Sequence, residues 1–213
     1  LQIGEVRIAF FDLILQNTYF NIFFTVFCLA ILLNGSNFID GLNGLATGYY
    51  VLILSIIFYL HSFNSVIEIE NLIEFKILLI CMSIFLVFNF FGKCFLGDGG
   101  AYLISFMVGY FLINFYNLNP FISPYFIALL LWYPAFETLF SLSRRLVSKF
   151  NVSSADNLHL HHLILFYLRK KVSNNYINPI VSVVIIFYNF LIFFTSLNYM
   201  NNSKIIIILI LVN

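Results

Sequence analysis

The chain has 213 residues, 62% of them hydrophobic and only 9% Asp, Glu, Lys or Arg, with a mean hydropathy of +1.00. A soluble domain carries roughly 25% charged residues, so this composition excludes a water-soluble fold of this size and makes a bilayer the natural solvent. The formal net charge of +1 gives no ground for a nucleic-acid polymer as partner.

The opening segment, Leu1 to Tyr19, begins without Met and already has the character of mid-protein sequence, so we expect the natural N-terminus to lie upstream. Apolar runs then follow at about 19–34, 45–63, 75–92, 101–118, 121–141 and 177–197, and a short seventh at 204–212. A helical span needs about 20 such residues, and each run must be helical because its backbone groups have to pair within the segment. The expected fold is all-α: one polytopic transmembrane helix bundle over residues 1–213, of about seven spans. Cys28, Cys81 and Cys94 have no metal or redox spacing and are expected to be free thiols.

Charge sets the orientation. If the gap 35–44 faces the cytoplasm, so do 93–100 and 142–176. These gaps hold Lys93, Arg144, Arg145, Lys149, Arg169, Lys170 and Lys171, seven of the ten basic residues. The opposite gap 64–74 holds Glu68, Glu70 and Glu74 and no cation. The long segment 142–176 is expected to be a cytoplasmic loop.

Three polar islands interrupt the apolar sequence, all on that face. The first carries Asn34, Asn37, Asp40 and Asn43 at three-residue spacing, with Gly41, Gly44 and Gly48 between and after them. It fits either a ligand-facing helix end or a hydrated loop with small-residue packing. In the second, Gly97-Asp98-Gly99-Gly100, Asp98 is either a hard oxygen ligand suited to Mg²⁺ and phosphate or a helix cap. The third, running from Asp156 and Asn157 to His159, His161 and His162, reads as phosphate or sugar donors, as a zinc site, or as a plain surface loop. Glu137, within the fifth run, is expected to pair with Arg144 or Arg145 two turns on; Trp132 and Tyr133 read as packing.

Together, N-x-x-N-x-x-D-G-x-N-G-L-A, F-L-G-D-x-G and H-x-H-H, in this order over about residues 30–165, resemble the polyprenyl-phosphate N-acetylhexosamine-1-phosphate transferases, glycosyltransferase family 4. The resemblance implies a multi-pass enzyme of the bacterial inner membrane, with its active site on the cytoplasmic face. Such an enzyme transfers a sugar-1-phosphate from a UDP-amino sugar to polyprenyl (undecaprenyl) phosphate and releases UMP, with Mg²⁺ as cofactor, in surface-polysaccharide or O-antigen synthesis. By position, Asp98 and Asp40 match the catalytic and metal-binding acids. Asn34, Asn37 and Asn43 match polar residues of the same cavity. His159, His161 and His162 match the histidine motif that holds diphosphate or sugar, and Arg144 and Arg145 match a basic pair. Membrane lipid is the surrounding partner, and a homodimer is among the states left open.

The departures are specific. Asn43 stands where many members have a second aspartate, and Ala101 and Ser105 stand where Ser and Gly are common. No Asp-Asp pair occurs in the chain, although members carry one near the prenyl phosphate. Members usually have ten or eleven spans, so the chain is expected to be the C-terminal part of a larger protein, inactive alone. A transporter or channel, and a histidine-ligated zinc membrane enzyme, are the alternatives.

Overall fold

The computed structural model describes residues 1–148, 159–171 and 177–213; Lys149, Asp156, Asn157 and Leu158 lie outside the described residues. All regular structure among the described residues is helical: α1 (Ala9–Leu15), α2 (Thr18–Ile39), α3 (Leu45–Phe63), α4 (Leu72–Phe90), α5 (Gly97–Leu118), α6 (Pro124–Leu130), α7 (Trp132–Ser148), α8 (Leu160–Lys171), α9 (Ile177–Leu197) and α10 (Ser203–Val212). Five of them (α2, α3, α4, α5 and α9) are long and apolar enough to cross a membrane. Helices α6 and α7 together pass the same test but are bent by 73° at Leu131. The seventh apolar run forms α10, a helix of ten residues.

Helix α3 is the central element. Leu45, Tyr49, Tyr50, Ile53 and Leu54 on it are fully buried, and it packs on α4 and α9 while α2 packs on α7 and α5. Phe23 and Phe27 on α2, Ile73, Ile77, Ile80 and Ile84 on α4, and Phe187 on α9 point outward. Such faces suit acyl chains. Lipid tails are as apolar as leucine, so helix association in a bilayer depends on close packing and interhelical hydrogen bonds. The α2–α7 contact shows this. A Cβ on Gly35 would collide with the Pro134 carbonyl oxygen, so glycine is what lets the two backbones meet. The hydroxyls of Ser36 on α2 and Tyr50 on α3 bond to one another in the buried interior.

The fifth apolar run reads as one continuous span, but the structure divides it. Pro134 has no N–H to return to the carbonyl of Leu130, four residues back, and a proline ring crowds that carbonyl. The Tyr49 hydroxyl donates to the Leu130 oxygen instead, at 2.8 Å. The bend therefore leaves no orphaned acceptor at that carbonyl. Within the segment 142–176, read from the sequence as a cytoplasmic loop, α7 continues to Ser148 and α8 occupies Leu160–Lys171, with His159 just before it. All three cysteines are free.

At the end of the bundle formed by the starts of α2, α4 and α6, polar groups bond to backbone. The Asn119 side chain accepts from the Glu68 N–H at 3.0 Å and donates to the Glu68 carbonyl at 2.9 Å. The Arg7 guanidinium donates to the carbonyls of Pro120, Phe121, Ile122 and Asn201 at 2.9–3.3 Å. These bonds close the end opposite the polar islands.

Candidate active site

The first island builds a tight turn between α2 and α3. Helix α2 ends at Ile39, and the Asp40 N–H still bonds back to the carbonyls of Ser36 and Asn37. Gly44 caps α3 at φ +78°, a left-handed conformation that a side chain would strain. Its N–H donates to Asn89 Oδ1 at 2.9 Å, and Asn89 Nδ2 donates to the Cys94 carbonyl at 2.9 Å. Asn89, at the end of α4 and 3% exposed, thus ties the Asp40 turn to the loop that delivers Asp98. The Asn43 N–H donates to Asn178 Oδ1 on α9 at 2.9 Å, while the Asn43 amide lies against Gly92. Asn37 Nδ2 donates to the Tyr102 hydroxyl on α5 at 3.1 Å. Asn34 is exposed and donates to its own helix, at the Ala30 carbonyl.

The two acids lie near enough across these turns for the charge of Asp98 to act on Asp40. Helix α5 begins at Gly97 rather than near Gly100, so Asp98 lies in its first turn, exposed, and caps nothing with its side chain. Asp40 is half-buried, and its carboxyl is pushed up to about 6. Burial is the main cause and the nearby negative charge of Asp98 adds to it, while the Gly97 N–H facing it pulls the other way. Such a pair has surplus negative charge that a bound cation would relieve.

The histidines close the third side. His161 Nε2 would lie 2.6 Å from a Cβ on Gly41, and His162 ring atoms 3.0 Å from it, so the bare Cα of the residue after Asp40 lets both rings approach. His159 stacks on Phe38 of α2, with ring centres 4.9 Å apart. The islands read separately in the sequence therefore meet at one end of the bundle. Glu137 is buried and does not follow the expected pairing with Arg144 or Arg145. Its Oε2 lies 2.9 Å from His159 Nδ1, its Oε1 accepts from the Leu160 N–H at 2.9 Å, and Oε1 lies 3.8 Å from His161 Nδ1. Tyr133 is more than packing: its hydroxyl lies 3.3 Å from His161 Nδ1. His162 is pushed down to about 4, mainly by burial and then by the neighbouring imidazoles, so it is neutral near pH 7. Arg144 and Arg145 are half-buried two turns beyond Glu137, Arg144 over the Phe140 ring at 5.6 Å.

These residues bear on the expected metals differently. Among the described residues, no three His, Cys, Asp or Glu side chains converge as a metal cage. This counts against the histidine-ligated zinc alternative. Mg²⁺ fits better, because it keeps several waters and takes one or two carboxylates plus substrate phosphates. Asp40 and Asp98 are two carboxylates present at this end to offer such a site.

Sequence reading missed Asn89 and Asn178, since an asparagine at a helix end gives no signal of a partner 45 or 135 residues away. It misassigned Glu137 because pairing at i, i+7 is visible along a helix and pairing across 22 residues is not. Pro134 was the available sign of the bend.

The fold and this site define a multi-pass membrane protein whose acids, amides and imidazoles gather at one end of a helix bundle. The family model described as "Glycosyl transferase family 4" matches residues 1–116. The chain belongs to that family. It is 30% identical over 146 residues to the "Probable undecaprenyl-phosphate N-acetylglucosaminyl 1-phosphate transferase" of Bacillus subtilis (strain 168), an alignment covering 67% of this chain and 40% of that protein. It is 29% identical over 143 residues to the "Undecaprenyl-phosphate alpha-N-acetylglucosaminyl 1-phosphate transferase" of Thermotoga maritima, covering 67% and 42%. The chain thus spans about two fifths of the length of the curated relatives it matches. No solved structure matches.

Proposed function

We propose that this chain forms the nucleotide-diphosphate side of a transferase that moves an N-acetylhexosamine-1-phosphate from a UDP-amino sugar to polyprenyl phosphate, at the cytoplasmic face of a bacterial inner membrane. The observation that carries the reading is the meeting of the Asp40 turn, the Asp98 helix start and the histidines at one end of the bundle, with a like-charged acid pair among them. The names of the two relatives support the class of reaction.

A phosphate oxygen of the lipid attacks the sugar-bearing phosphorus of the UDP-sugar. The bond from that phosphorus to the bridging oxygen breaks, and UMP leaves with the electron pair. Phosphoryl transfer of this kind is mostly positioning and charge neutralisation. Bound at Asp98 and Asp40, Mg²⁺ would supply positive charge to the diphosphate and the departing UMP. Asn37 and Asn43 offer amides beside the acids, and Asn34 offers one further along α2. His159, His161 and His162 offer ring nitrogens to the diphosphate or sugar, and Arg144 and Arg145 add charge from the end of α7. The products, polyprenyl-diphosphate sugar and UMP, suit a first membrane step in surface-polysaccharide or O-antigen synthesis.

In the full-length enzyme, Asp98→Asn is expected to lower UMP release from UDP-N-acetylglucosamine by about a hundredfold or more, with the melting temperature unchanged. UMP release at the wild-type rate in that variant rejects the assignment.

A further inference from the structure

Glu137 has a place that the proposed chemistry does not use. It is a carboxylate 1% exposed, on α7, and its contacts run to the chain that carries the histidines, 22 and more residues later. Oε1 accepts from the Leu160 N–H at 2.9 Å and so fixes the start of α8. Oε2 lies 2.9 Å from His159 Nδ1, and Oε1 lies 3.8 Å from His161 Nδ1. A carboxylate only accepts, so a ring nitrogen at hydrogen-bond distance from it must carry a proton. That assigns Nδ1–H to His159.

His161 takes the same form through Tyr133. The phenol hydroxyl lies 3.3 Å from His161 Nδ1, and Glu137 Oε1 lies 3.8 Å from the same nitrogen. The negative charge of the carboxylate favours a proton on that nitrogen. The phenol oxygen then accepts from His161 Nδ1–H. The other nitrogen of His161, Nε2, is buried, has no partner among the described residues, and lies against Gly41, the residue after Asp40. A buried ring nitrogen without a partner bears its desolvation cost uncompensated, and polar atoms left so are sites for a ligand or a water.

We propose that Glu137 is the positioning residue of the histidine motif. It anchors the first turn of α8, holds the ring protons of His159 and His161 on Nδ1, and thereby turns the lone pair of His161 Nε2 toward the Asp40–Gly41 turn as an acceptor for a hydroxyl or N–H of the substrate. Tyr133 accepts the His161 Nδ1 proton at 3.3 Å. Only the kinetic consequence rests on the proposed transfer reaction; the tautomer assignment does not.

The test uses the full-length protein, labelled with ¹⁵N-histidine and reconstituted in lipid. Ring-nitrogen shifts of the wild type are expected to show Nδ1 protonated in both His159 and His161, each assigned by loss of its signal in a His→Gln variant. In Glu137→Gln, which keeps the size of the side chain, His161 is expected to move toward the Nε2–H form. UMP release should fall at least about thirtyfold in kcat with KM for UDP-N-acetylglucosamine changed less than about threefold, as when an interaction is made mainly in the transition state. Glu137→Asp should recover part of kcat. A wild-type protein with Nε2–H on either ring overturns the proposal whether or not the variants fold. So does a Glu137→Gln variant with unchanged shifts and kcat within threefold of wild type. A wild type that turns over no UDP-amino sugar would reject the transfer reading while leaving the ring shifts to decide the role of Glu137.

Discussion

The two ends of the bundle handle polar groups in opposite ways. At one end Arg7 donates to four main-chain carbonyls, and Asn119 takes both the N–H and the carbonyl of Glu68. Those side chains close turns, and their hydrogen-bonding capacity is directed at the protein itself. At the other end Asp98 is exposed, Asp40 is held at an unfavourable charge, and His161 Nε2 is buried without a partner among the described residues. A satisfied polar cluster reads as structure, and one left short of partners reads as a place for something else to bind.

The sharpest way to break this contrast is at Asp98, where loss of one carboxylate should stop turnover and leave folding alone. Glu137→Gln comes next, with its thirtyfold effect on kcat. Gly41→Ala is expected to cost about tenfold or more in UMP release, because the new methyl would stand 2.6 Å from His161 Nε2 and the imidazoles must move; its melting temperature should change little. At the far end the expectation reverses. Arg7→Met strips four carbonyls of a donor and should lower stability by about 1–3 kcal/mol in denaturation of the detergent-solubilised protein, while kcat per folded molecule stays at the wild-type value.

The smallest effect tests the unfavourable charge itself. The Asp40 carboxyl titrates near 6 in the folded protein, above the ordinary value of 3.8. The folded state therefore binds more protons than the unfolded state between about pH 4 and 6, and stability falls as pH rises through that window. With metal chelated, Asp40→Asn should raise the melting temperature by a few degrees at pH 7.5 and make no difference near pH 4. An asparagine variant less stable at pH 7.5 would mean that Asp40 is already satisfied by the protein.

Much of this was legible in the sequence, for physical reasons. Lipid leaves a spanning backbone few options, so runs such as 45–63 and 177–197 announce α3 and α9 by composition alone. The three islands could be assigned to one face because helices alternate direction and cations mark one side. What the sequence did not disclose depends on contacts between distant residues. The bend at Leu131 needs Pro134 and also a hydroxyl from Tyr49, 81 residues from the carbonyl it satisfies. Glu137 looked like a partner for arginines on its own helix because the histidines were distant in the chain. Asn89 looked like one more polar residue at a helix end.

That asparagine has a mechanical consequence. One amide bridges the turn after α2 and the loop before α5, so when the surrounding helices shift in the bilayer the two segments travel as a single lever. A displacement of either one would therefore be passed to the other, and with it to the acid it carries.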